Sequence, residues 1–476
     1  MSKPVRHADS FETGLRASSG SLRKPSGPPP LSARARPNRF YMATCVPGAE
    51  MILRDEIEEL LNKSGTEAFP GGRDLRAGRG KVFFFAAAEA ERLSELRCAD
   101  NVYRVIKKFE IGGHREDLGA YKAVIRAIFK KPEEFSELTR GRAAGKDADS
   151  QRPPLRSGLA GVYFGSGSAG DECPDSGNAV GGRPDFRSLG GGCPDSGSLW
   201  DGRPDSWSAD GERPASGSAA LTAAAGPLSF VVSASRAGKH TYSRFDLSDA
   251  AADALVSTGL FIPGDNMNHD VAFRVDVKDG GCVFSVQLTP PGFRFRGEFA
   301  CVPGGIRPTV AHCLVRVSRP ANTDVFYDPF CGAGTIAAER AFYGHRKILA
   351  SDISAWAVET AKANLGGGAA VFRADAVSTG MKAASVDAVV SNLPWGKQAA
   401  VEDLDRLYRD FLLELKRILK NNGRAVILTD RRDALMRACA KAGFEAGAAA
   451  ELSLHGLRPG VFLLREKGLM TEDTGS

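Results

Sequence analysis

Asn392, Leu393, Pro394, Trp395 and Gly396 follow one another directly after a short apolar run at 386–391. An amide, a main-chain carbonyl and an indole in that order suit transfer of an alkyl group to an exocyclic amine of a nucleobase. Such an amine is a poor nucleophile, because its lone pair is delocalised into the ring. The Asn392 side-chain oxygen and the Leu393 carbonyl can each accept one of its N–H bonds, so that the nitrogen can pyramidalise toward the incoming group. Pro394 stiffens the turn. Trp395 offers a flat face to a base taken out of its helix. Catalysis of this kind is mostly positioning for in-line transfer. The aminium product is acidic, so no strong general base is required. Taken alone, the stretch reads best as a turn around a buried indole; its place in the chain favours chemistry.

That place is the fourth in a series of strand ends. A short apolar strand at 325–328 ends on Asp328 and runs into a glycine turn with Cys331, Gly332 and Gly334, where Thr335 opens a helix. Glycines there let the backbone approach a ligand closely, and strand ends at a switch point are where open α/β sheets bind ligands. The next strand, 347–351, leads to Asp352 and Ile353. An acid at that distance can accept from both hydroxyls of a ribose, or simply cap the helix after it. A third strand, 370–373, ends at Asp375 and Ala376, where a carboxylate can accept from an adenine amino group. Four polar strand ends in order, with glycines only after the first, are hard to explain by helix capping. The first turn has no third glycine and no Gly-Lys-Thr, so it is neither a good dinucleotide fingerprint nor a P-loop.

The elements that must hold these residues fill a chain of 476 residues, which predicts two to three domains. Strands alternating with helices after Pro320 predict a doubly wound parallel sheet. Upstream, strands at 40–45, 81–85 and 103–109 and helices at 50–62 and 89–99 form a small α+β unit. Met51, Ile52, Ile57, Leu60 and Leu61 are its expected apolar helix face. A helix follows at 118–130. After a break come a strand at 228–234, a helix at 247–258 capped by Asp246, and a hairpin around Asp279, Gly280 and Gly281. Pro308 marks the start of a connecting helix.

Between about 139 and 226 the composition shifts to Gly, Ser, Ala, Asp, Arg and Pro. Pro174, Pro184, Pro194, Pro204 and Pro214 recur every ten residues. Each unit has too few large apolar groups to offset its ordering entropy, so a disordered insertion is expected. Residues 1–38 are rich in Arg, Ser and Pro, broken only by Asp9 and Glu12. They read as a disordered basic tail, although organelle transit peptides share this composition. Without an apolar core in this stretch, no secretory signal is expected.

The net charge of +6 is compatible with a nucleic-acid partner but weak evidence for one. None of the nine cysteines forms a CxxC pair and the seven histidines are scattered, so no metal site is expected, and the thiols read as reduced. No apolar run approaches the roughly 18–20 residues of a membrane helix. A cytoplasmic enzyme is expected.

The stretches Asp328-Pro-Phe-Cys-Gly-Ala-Gly-Thr335 and Asn392-Leu-Pro-Trp-Gly396 resemble those of the THUMP-containing guanosine N2-methyltransferases of tRNA and related RNAs. Bacterial and archaeal members carry Asn-Pro-Pro-Tyr-Gly, and eukaryotic members an acid or amide followed by Leu-Pro-Phe-Gly; this chain has Trp395 at the aromatic position. The resemblance extends to Ala43–Glu50, Arg97–Tyr103, Arg244–Asp249, Leu288–Gly297 and Arg307–Ala311. It implies an α/β architecture: a C-terminal Rossmann-like seven-stranded methyltransferase sheet preceded by an α+β ferredoxin-like plus THUMP region. The boundaries would be a basic tail at 1–38, a ferredoxin-like domain at 39–115, a THUMP RNA-binding domain at 116–300 interrupted by the insertion, a linker helix at 301–320, the methyltransferase domain at 321–470 and a short tail at 471–476.

The cofactor it implies is S-adenosyl-L-methionine, held by Asp328, Cys331, Gly332, Gly334, Thr335, Asp352, Ile353, Asp375 and Ala376, with Asn392, Leu393, Pro394 and Trp395 as the catalytic motif. The partners are tRNA or another structured RNA and, as in eukaryotic relatives, a small zinc-ribbon activator subunit. The upstream domains would grip the tRNA 3′ end and present an acceptor-stem guanosine. Other readings remain open: methylation of adenine N6 in rRNA, snRNA or DNA, or of a protein glutamine, and a catalytically idle RNA-binding protein. Replacement of Trp395 by Phe is expected to be mild, and the part from Cys301 onward is expected to bind cofactor on its own.

Overall fold

The computed structural model describes residues 39–62, 79–86, 90–130, 134–135, 138, 226–266, 268–297, 299–395, 403–454 and 456–468. The expected basic tail, the repeat insertion up to residue 225, Gly396 and the tail at 471–476 lie outside the described residues.

Alternating apolar residues make β1 (Arg39–Thr44), β2 (Lys81–Ala86) and β3 (Asn101–Glu110) half-buried strands. They continue into β4 (Leu228–Ala237), β5 (Phe261–Pro263), β6 (Val271–Lys278) and β7 (Gly281–Gln287) as one seven-stranded sheet, ordered β2-β1-β3-β7-β6-β4-β5. Antiparallel pairing of β3 with β7, from Tyr103 opposite Gln287 to Glu110 opposite Gly281, joins the strands of the two expected upstream modules. The β6–β7 hairpin turns where expected, with Asp279 at φ 53°.

Helices α1 (Glu50–Asn62), α2 (Ala90–Leu93), α3 (Leu118–Ile128) and α4 (Arg244–Val256) cover this sheet. Three local expectations change. The buried face of α1 is Leu53, Glu56, Ile57 and Leu61, whereas Met51 is exposed. The helix expected at 89–99 stops at Leu93: the N–H groups of Arg97 and Cys98, which would continue it by bonding back four residues, donate to the Glu56 carboxylate at 2.9 Å instead. The N-cap of α4 is Ser243; Asp246 sits three residues in and bonds back to the Ser243 N–H at 2.7 Å, closing a capping box.

A second sheet comprises β8 (Val325–Asp328), β9 (Lys347–Asp352), β10 (Ala370–Arg373), β11 (Val386–Asn392), β12 (Leu419–Thr429), β13 (Phe444–Glu451) and β14 (Gly460–Glu466), in the order β10-β9-β8-β11-β12-β14-β13. The first five in that row are parallel and the last two pairings antiparallel. This is the expected doubly wound, Rossmann-like sheet, and its order reverses between β8 and β11. Helices α5 (Pro308–Val317), α6 (Thr335–Arg340), α7 (Ala355–Leu365), α8 (Leu404–Ile418) and α9 (Arg432–Ala442) belong to this half. Pro308 occupies the first turn of α5, as its fixed φ predicts. Among the described residues no helix is long and apolar enough to cross a membrane.

The two halves share a core. Leu53 and Ile57 of α1, Val310 and Leu314 of α5, Ile336 and Ala337 of α6 and Val390 of β11 belong to one buried cluster. A buried ionic network crosses the same boundary. Arg97 clasps Glu339 through two bonds of 2.7 and 2.8 Å, and His312 meets Glu339 at 2.9 Å and Glu56 at 3.4 Å. Glu56 in turn accepts the N–H groups of Arg97 and Cys98. The expectation that the part from Cys301 onward stands alone therefore needs correction. A fragment beginning there would expose half of an apolar core and strip Arg97 and Glu56 from Glu339 and His312. Such a fragment is expected to show no cooperative melting transition in differential scanning fluorimetry; a sharp transition close to that of the full chain would refute this.

Candidate active site

The carboxyl ends of β10, β9, β8 and β11 lie side by side, and each carries one of the singled-out polar residues. Asp328 at the end of β8 is fully buried. Its Oδ1 accepts from the Ser391 hydroxyl at 2.7 Å and the Phe330 N–H at 3.3 Å, while Oδ2 is buried without a partner among the described residues. Burial, with a smaller push from Asp352, raises this carboxyl to about 7.

Gly332 and Gly334 adopt φ of 52° and 84°. A Cβ on Gly334 would stand 2.9 Å from Leu365 Cδ1, so glycine lets α7 close on the turn. Cys331 is buried, its N–H donates to the Ser351 carbonyl at 2.9 Å, and burial keeps its thiol protonated. Thr335 is buried at the start of α6.

Asp352 divides its carboxylate: Oδ2 accepts the Gly332 N–H at 3.0 Å and Oδ1 the Ser354 N–H at 2.9 Å. The capping alternative falls to Ser354, which caps α7 itself. Ile353 is 61% exposed beside this acid. Asp375 is exposed with Oδ1 on the Val377 N–H at 3.1 Å, and Ala376 is buried.

In the Asn392 motif, Leu393 is buried and its N–H donates to the Leu428 carbonyl at 3.2 Å. The Pro394 carbonyl accepts from the Tyr408 hydroxyl at 2.8 Å, and that hydroxyl also bonds Thr429 at 2.7 Å. Asn392 Nδ2 donates to the Gly304 carbonyl at 3.1 Å, and Asn392 Oδ1 accepts from the Trp395 indole at 2.6 Å.

Several supporting residues escaped the sequence reading. Asn364 ties Ala300 to the glycine turn: its Oδ1 accepts from the Ala300 N–H, and its Nδ2 donates to the carbonyls of Ala300 and Ala333 at 2.9 Å. Glu414 accepts both the N–H and the hydroxyl of Thr379, at 2.8 and 2.5 Å, anchoring the loop after Asp375. Hydrogen bonds from Arg417 and Thr379 hold its carboxyl down at about 2, against burial. Tyr408 braces the Asn392 motif from α8. None of these is adjacent in sequence to the strand end it supports, and no spacing rule marks them.

The profile of the RMKL-like methyltransferase domain matches residues 296–459. The tRNA (guanine(6)-N2)-methyltransferase of Thermus thermophilus is 31% identical over 248 residues, 51% of this chain and 73% of that protein. The chain belongs to the tRNA (guanine-N2)-methyltransferase family. A mammalian member, tRNA (guanine(6)-N(2))-methyltransferase THUMP3 of Mus musculus, is 27% identical over 260 residues, and the match spans about half the length of either protein. The crystal structure of TrmN from Thermus thermophilus shares the fold, with a TM-score of 0.60 at 24% identity over 90% of this chain and 99% of that one. Membership agrees with the resemblance carried by the glycine turn and the Asn392 motif, and makes this chain a methyltransferase of the Rossmann-like class.

Proposed function

We propose that this chain transfers a methyl group from S-adenosylmethionine to N2 of a guanosine in tRNA, in the acceptor stem. The observation that carries the reading is the alignment of Asn392 with Asp328, Asp352 and Asp375 along one edge of the second sheet, at the point where its order reverses. Ligands of open α/β sheets bind there.

The residues fit the cofactor. The buried Oδ2 of Asp328, without a partner among the described residues, is an acceptor suited to the ammonium of its amino-acid end. The Gly332–Gly334 turn is packed beneath Val302 and α7 and closes one end of the site; Asp352 would accept from the ribose hydroxyls, Asp375 from the adenine amino group, and Ile353 and Ala376 would line its apolar faces. Cys331 and Thr335 shape the turn from behind. The cofactor supplies an electrophilic methyl on a sulfonium. The chain's part is to hold the amine: Asn392 Oδ1 and the Leu393 carbonyl accept its hydrogens, Pro394 fixes the turn, and Trp395 flanks the base. Discrimination of this type rests on interactions that strengthen as the nitrogen pyramidalises.

Residues 39–115 and 116–300 would grip the RNA, the linker at 301–320 would carry them, and 321–470 would do the chemistry. Because β10 is an edge strand of the described sheet, with Trp356 exposed on the helix packed beside it, it offers a place for a zinc-ribbon activator to add a strand.

Isothermal titration of the full chain with S-adenosylmethionine tests the cofactor assignment. Asp352→Ala is expected to weaken binding by about 1.5–3 kcal/mol, the worth of hydrogen bonds to a charged acceptor, while Asp352→Asn keeps one oxygen for the Gly332 N–H and loses less. Unchanged affinity in Asp352→Ala would reduce this acid to a tie between β9 and the glycine turn.

A further inference from the structure

The amide of Asn392 is held from two sides. The Trp395 indole N–H donates to Asn392 Oδ1 at 2.6 Å, and Asn392 Nδ2 donates to the Gly304 carbonyl at 3.1 Å. An indole N–H can only donate and a main-chain carbonyl can only accept. The pair therefore admits one orientation of the carboxamide; its flipped alternative would set two donors and two acceptors against each other. An amide oxygen has two lone pairs. Trp395 takes one, and the second is left for an N–H of the base.

The donor is itself fixed. Trp395 is half-buried with its ring packed on the core that both halves share. The main chain between the two residues is tied through Leu393 to β12 and through the Pro394 carbonyl to Tyr408. The other partner, Gly304, belongs to the segment at 299–305, whose Ala300 is tied to the glycine turn by Asn364. That segment follows Arg296, whose guanidinium is buried among the carbonyls of Leu96, Arg97 and Ala99. The orientation of the acceptor thus depends on contacts from both halves of the molecule.

We propose that Trp395 is a positioning residue whose indole N–H, together with the Gly304 carbonyl, locks the Asn392 carboxamide with its oxygen toward the target amine, in addition to any stacking by its ring. The proposal rests on the reading of Asn392 as the amine acceptor. It also alters an expectation drawn from the sequence: Phe at this position keeps an aromatic face but has no N–H, so the substitution should not be mild.

The test replaces Trp395 in the full chain with β-(3-benzothienyl)alanine, a bicyclic ring of the same size with sulfur in place of N–H. Single-turnover methylation of an unmodified tRNA transcript is measured beside filter binding and cofactor titration. The expected result is a rate lower by about tenfold, equivalent to about 1.4 kcal/mol, with tRNA and cofactor affinity within about twofold of the parent. Trp395→Phe should be slowed at least as much, and 5-fluorotryptophan, which keeps the N–H, should restore the parental rate. An unchanged or faster rate with the benzothienyl residue overturns the proposal, as does a rate loss matched by an equal loss of tRNA affinity, which would assign the N–H to holding RNA and not to orienting Asn392. Asn392→Ala run in parallel separates the two levels. Full turnover in that variant sinks the acceptor reading itself, whereas loss there with full turnover in the benzothienyl protein sinks only the role given to Trp395.

Discussion

Asn392→Ala is expected to cut single-turnover methylation of tRNA by about 10²- to 10³-fold, the scale of removing one preorganised partner of the developing charge. Affinity for cofactor and RNA should stay within about twofold. That separation is the mark of an interaction made mainly in the transition state. The substitution deletes the acceptor and also the Nδ2 bond to Gly304, so some loosening of residues 299–305 accompanies it. Asn392→Asp distinguishes the two effects. It keeps an oxygen for Trp395 but turns a carboxylate oxygen toward the Gly304 carbonyl, where two acceptors repel. If the acceptor matters most, the aspartate variant retains more activity than the alanine one. If both variants methylate at the parental rate, Asn392 plays no part in the chemistry.

The second sheet was legible because its strands are short, apolar and bounded by turn residues. The polar residue at each strand end could be placed before any fold was known, and Asp328, Asp352, Asp375 and Asn392 come out along one edge in the order β10-β9-β8-β11. What the sequence hid is how those residues are held. Asp352 looked like a candidate helix cap, yet Ser354 has that task and Asp352 ties down Gly332. Glu414 and Asn364 lie at ordinary helical positions with no pattern to set them apart, because a hydrogen bond to a distant loop leaves no trace in local periodicity.

The upstream half was harder to read. Glu56 and His312 sit on helices whose apolar spacing gave no reason to expect a buried charge. In α1 the periodicity suggested Met51 and Ile52 for the buried side, but Glu56 takes a buried place there because its partners arrive from elsewhere in the chain. The helix expected at 89–99 failed for a related reason: Glu56, about forty residues away in the chain, claims the Arg97 and Cys98 N–H groups that would have continued it. Apolar periodicity reports burial, and it cannot report which buried polar groups find partners across a domain boundary.

Those partners lead to the second large effect. Glu339→Ala removes the carboxylate that faces both Arg97 and His312 inside the protein. Breaking one member of a buried ionic group leaves uncompensated charge and costs about 3–5 kcal/mol, a fall in Tm of about 5 °C for a cooperative unit of this size. The pH dependence gives the assignment its sharper check. Burial alone would lower His312, but hydrogen bonds and charge from Glu339 and Glu56 outweigh it and raise the imidazole above its ordinary 6.5. A raised folded value means that this stabilisation is complete below 6.5 and is lost as pH climbs through the raised value. Burial alone would raise Glu339, but Arg97 and His312 hold it down at about 2, below its ordinary 4.5. Its contribution is complete above 4.5 and is lost as pH falls toward 2. The stability gap between the parent and Glu339→Ala should therefore be widest from about pH 4.5 to 6.5, narrowing on either side. Glu339→Gln, which keeps the shape and one acceptor without the charge, should recover only part of it. A gap that stays constant with pH would show that Glu339 contributes packing alone, and that the charge pairs with Arg97 and His312 do not hold the two halves together.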